Sequence, residues 1–94
     1  MRQVYSWQEL NQMFPEGYMA MVTRKEISSW DEKMRFYLKL PDRPFADCVG
    51  DSLEETRLKM AVEGYAVDEK PSAFIRQTEF GPPADYFFAV RKTR

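Results

Sequence analysis

The chain has 94 residues, enough for one domain (1–94) and too few for a second hydrophobic core. Apolar residues make up 44% and aromatic residues 15%, which excludes a disordered polyelectrolyte. Seven basic and seven acidic residues fall in 1–47, and seven basic and eight acidic in 48–94, so neither half carries the basic footprint of a duplex binder or the charge of an acidic nucleic-acid mimic.

At the N-terminus, Ser6 and Glu9 stand at capping-box spacing. Tyr5 and Leu10 occupy the flanking positions of a hydrophobic staple. The helix this predicts runs over about 7–14, with Trp7, Leu10 and Phe14 toward a core, and Pro15 and Gly17 stop it. Tyr18, Ala20 and Val22 then alternate with Met19, Met21 and Thr23, the period of a strand. Met34, Phe36, Leu38 and Leu40 alternate with Arg35, Tyr37 and Lys39 in a second strand. The stretch KEISSWDE between them holds turn residues and Trp30. Pro41-Asp42-Arg43-Pro44 breaks the sheet, and Phe45–Val49 reads as a short third strand.

A second capping box, Ser52 with Glu55, opens a helix over 52–63 that Gly64 closes. Leu53, Leu58, Met60, Ala61 and Val62 spread over a broad arc, opposite the charged row Glu55, Lys59 and Glu63. Arg57 intrudes on the apolar arc and is expected to snorkel or to meet a carboxylate. Ala73–Thr78 and Tyr86–Arg91 read as two more strands around a turn at Gly81-Pro82-Pro83. Glu16-Gly17-Tyr18 and Glu63-Gly64-Tyr65 repeat one phrase, helix stop then strand, which either a duplication or convergence on good cap residues explains. The fold class is α+β: a two-layer sandwich with a mostly antiparallel sheet of 4–5 strands and both helices on one face.

Chemistry is sparse. There is no histidine, which removes the commonest general base and transition-metal ligand. Cys48 is alone, so it forms no internal disulfide and suits a reducing cytosol. Without an imidazole to activate it, it reads as a small core residue. The acidic pairs Asp31/Glu32, Glu54/Glu55 and Asp68/Glu69 have ordinary readings as turns, loops or a helix first turn, and none has the spacing of a calcium loop. No catalytic residue, metal site or cofactor is assigned. No secretory leader or membrane span is expected, and the chain reads as cytoplasmic.

What remains is binding. Trp30, Tyr37, Met19, Met21 and Phe80 are the candidate contacts for a protein partner, as large apolar or aromatic groups with no evident core slot. Arg35, Tyr37 and Lys39 on one strand face, with Arg91 and Lys92 near the basic end, are the candidate contacts for nucleic acid, the runner-up. A homodimer is compatible with the same surface.

The segment LPDRPFADCVGDSLEET, Leu40 to Thr56, resembles the central part of HicB-type antitoxins. Pro41-Asp42-Arg43-Pro44 matches that family's Pro-Asp-x-Pro, and Gly50-Asp51-Ser52-Leu53-Glu54-Glu55 its helix opening. With the two strands before it, the likeness covers about residues 18–63. Phe45-Ala46 stand where the family has Gly-Cys, and Thr56 where it commonly has alanine. The resemblance implies a partial RNase-H-like fold without catalytic acids, working by binding and blocking a toxin. The overall expectation is a small non-enzymatic module that inhibits or adapts by occluding a partner protein, in the manner of an antitoxin or of a phage-encoded inhibitor of a host defence system.

Overall fold

The computed structural model describes residues 1–25, 32–43, 46–48, 52–76 and 85–93. They form, in chain order, β1 (Arg2–Gln3), α1 (Trp7–Met13), β2 (Tyr18–Lys25), β3 (Glu32–Lys39), β4 (Ala46–Cys48), α2 (Leu53–Val62), β5 (Tyr65–Val67), β6 (Ala73–Ile75) and β7 (Asp85–Lys92). The chain is an α+β protein. Both helices start where the cap residues place them. Ser6 Oγ accepts from the Glu9 amide at 3.3 Å and Ser52 Oγ from the Glu55 amide at 3.1 Å, each satisfying one of the amides a helix start leaves open.

The sheet runs in the order β1-β6-β7-β2-β3-β4, and β5 joins through β7. Its pairs are antiparallel except β1 with β6, which is parallel, so the sheet is mixed. β5 and β6 lie end to end on one edge of β7. The carbonyls of Phe87 and Ala89 accept from the Ser72 and Asp68 amides on that edge, while the Val90 amide donates to Gly17 on the other. The strand count exceeds the expected 4–5 by β1, a two-residue strand with no alternation to read, and by β5, three residues that follow the Glu63-Gly64-Tyr65 stop.

The expected two-layer arrangement is corrected. One core cluster joins Val4, Leu10, Phe14, Tyr18, Ala20, Val22, Ala73 and Phe87, and so contains α1. The other joins Met19, Phe36, Leu38, Leu40, Met60, Phe88 and Val90, and so contains α2. Neighbouring residues along β2 and β7 alternate between the clusters, so the helices cover opposite faces of the sheet. The physical reason is that β2, β3 and β7 each carry apolar residues on both faces, and one helix layer leaves half of them wet. Tyr18 centres the first cluster, with Phe14 and Phe87 rings each 5.7 Å away, the latter edge-on. The expected Tyr5–Leu10 staple is also replaced. Tyr5 is exposed, and Val4 packs in the cluster of Leu10 instead.

A half-turn about β7 relates two parts of the molecule. α1, Gly17, Tyr18 and β2 lie on one edge of β7; α2, Gly64, Tyr65 and β5 lie on the other, with the helix on the opposite face. Both glycines have positive φ, 113° and 93°, where a side chain is strained. Their carbonyls accept equivalent bonds from β7, Gly17 from the Val90 amide at 3.2 Å and Gly64 from the Thr93 amide at 2.8 Å.

Candidate functional site

The two helices differ in what they leave outside. α1 buries Leu10 completely and half-buries Met13, with Phe14 buried at its end. α2 buries Thr56 and Met60 and half-buries Leu53. It leaves Leu58 at 64% and Val62 at 77% exposed, with Ala61 exposed beside them. This corrects the broad apolar arc: Thr56 holds a core position that Leu58 was expected to share. Thr56 can go inside because its hydroxyl donates to the Ser52 carbonyl at 2.8 Å, which meets its polar demand within the helix. Leu58 and Val62, at i and i+4, then form an outward apolar stripe.

That stripe borders a groove of ≈ 420 Å³ between α2 and β5, lined by Glu54, Arg57, Leu58, Ala61 and, across from them, Tyr65 to Val67 and Thr93. Arg57 forms one wall. Its Nη2 donates to the backbone carbonyl of Asp68, and its guanidinium lies 5.9 Å from the Phe88 ring centroid. Its Nε is buried without a hydrogen-bond partner. It therefore meets a backbone carbonyl, and not a carboxylate, under α2. The Asp68 carboxylate faces Arg91 at 3.4 Å, a solvent-exposed pair of little weight, while the Asp68 amide donates to the Ala89 carbonyl at 3.0 Å.

A second exposed apolar region lies at the sheet edge, where Met1, Tyr5 and Trp7 are 67%, 77% and 58% exposed. Tyr5 and Trp7 flank the cap residue Ser6, which turns the chain out of β1 into α1.

The sequence-predicted contacts scatter. Met19 is fully buried beside Phe36, Leu38 and Phe88, so it has a core slot and is not a surface contact of the folded chain. The reason is its place on the central strand β2, whose α2-side face is covered. Met21 is half-buried against the same cluster, and Tyr37 is half-buried against the α1-side cluster. Trp30 and Phe80 lie outside the described residues. Of the nucleic-acid set, Arg35 is exposed on the face of Tyr37, and Lys39 is tied down, its Nζ donating to the carbonyls of Leu40 at 2.6 Å and Arg43 at 2.5 Å. Alternation places Arg91 on the α1 side of the sheet and Lys92 on the α2 side. The set is thus divided between two faces, with α1 over the middle of one of them.

Leu58, Val62, Tyr5 and Trp7 were missed as surface candidates. The signal for Leu58 and Val62 is legible afterwards: apolar residues spread so widely around α2 that one packed face cannot bury them all. No helix among the described residues is long and apolar enough to cross a membrane. No protein-family model, no curated protein and no solved structure matches this chain.

Proposed function

We propose that the protein is a small non-enzymatic binding module of the cytoplasm that inhibits or adapts by occluding a partner protein. The observation that carries this is the outward stripe of Leu58 and Val62 on a helix whose other side is already packed, beside a groove of ≈ 420 Å³. Apolar side chains grouped at a groove, with charged groups around them, are how interface centres are built. Occlusion needs no general base, which suits a chain without histidine. An antitoxin-like role, following the resemblance at 18–63, and a phage-encoded inhibitor of a host defence system are the two forms this reading takes.

Affinity capture from host lysate, with and without nuclease, tests it. The expected result is one protein retained under both conditions by the wild-type chain and lost by Leu58→Glu. Leu58 is exposed, so the variant keeps its thermal midpoint. Capture that disappears with nuclease would replace this reading by nucleic-acid binding through Arg35, Tyr37 and Lys39.

A further inference from the structure

We draw no further inference here: the strongest candidate, the outer edge of β5 with the groove beside α2, has both Glu54 and Arg57 in its lining, and nothing in the structure shows what covers it.

Discussion

The unit α1–Gly17–Tyr18–β2 and the unit α2–Gly64–Tyr65–β5 are written in the same terms and end in different surroundings. Each opens on a serine cap, closes on a positive-φ glycine and enters a strand through tyrosine. In the first, the tyrosine is 1% exposed and the strand has eight residues between two neighbours. In the second, the tyrosine is half-buried and the strand has three residues. Cap chemistry sets where a helix begins and ends. Position in the sheet decides how much of it is covered. The unit at the centre buries Leu10, Phe14 and Tyr18 and leaves Trp7 outside, whereas the unit at the edge leaves Leu58 and Val62 outside.

The sharpest way to break this contrast is to truncate one leucine in each helix, a buried one in α1 and an exposed one in α2. Leu10→Ala removes a fully buried side chain and should cost about 3 kcal/mol in urea unfolding. Leu58→Ala should cost less than about 0.5 kcal/mol. Equal losses would show that α2 is covered in the free protein and that the stripe is core. The glycines come next. Gly17→Ala places a Cβ 2.6 Å from the Lys39 carbonyl oxygen in addition to the strain of φ 113°, and should cost about 2 kcal/mol or more. Gly64→Ala carries the conformational strain at φ 93° and should cost about 1 kcal/mol. The reverse order would place the tighter turn at the edge.

The smallest effect reads the surroundings of Tyr18 by pH. Burial pushes the Tyr18 phenol from 10.0 up to about 12. The unfolded chain releases this proton from about pH 10, and the folded chain holds it until about pH 12. Tyr18 therefore leaves stability unchanged below pH 10 and lowers it as pH rises from 10 to 12. Thermal melts of Tyr18→Phe should show a shallower alkaline decline over that window than the wild type. An unchanged slope would mean that the phenol ionises in the fold.

How far the sequence reveals all this depends on range. The caps at Ser6 and Ser52, the stops at Gly17 and Gly64, and the long alternations of β2 and β3 are local signals, and they are legible. β7 shows too, though it begins one residue earlier and ends one later than the alternation suggests. β1 is not legible, because its only cause is a distant partner, and β5 shows only as the strand entry after Glu63-Gly64-Tyr65, with three residues too few to alternate. The alternation of Arg35, Tyr37 and Lys39 looks like a solvent face. In the fold Tyr37 packs against a cluster built from α1, β2, β6 and β7, none of which its own strand announces. Met19 was placed outside for the same reason. Its cover comes from β3, β7 and α2 together. The stripe on α2 is the converse case, since weak segregation of apolar residues is visible in the sequence but the side that wins the core is not.

β7 pairs with β2, β5 and β6, yet it follows all three in the chain. During synthesis, both helix–glycine–tyrosine units leave the ribosome before the strand that joins them exists. Tyr18, Met19 and Ala73 wait without their neighbours until residues 85–92 emerge. Completion is thus a late, cooperative event dominated by long-range pairing, with slow folding and a period of exposed strand edges. A stop codon or proteolytic cut just before residue 85 would split the sheet, parting β2-β3-β4 from β5 and β6, whereas the loss of β1 would remove only one edge.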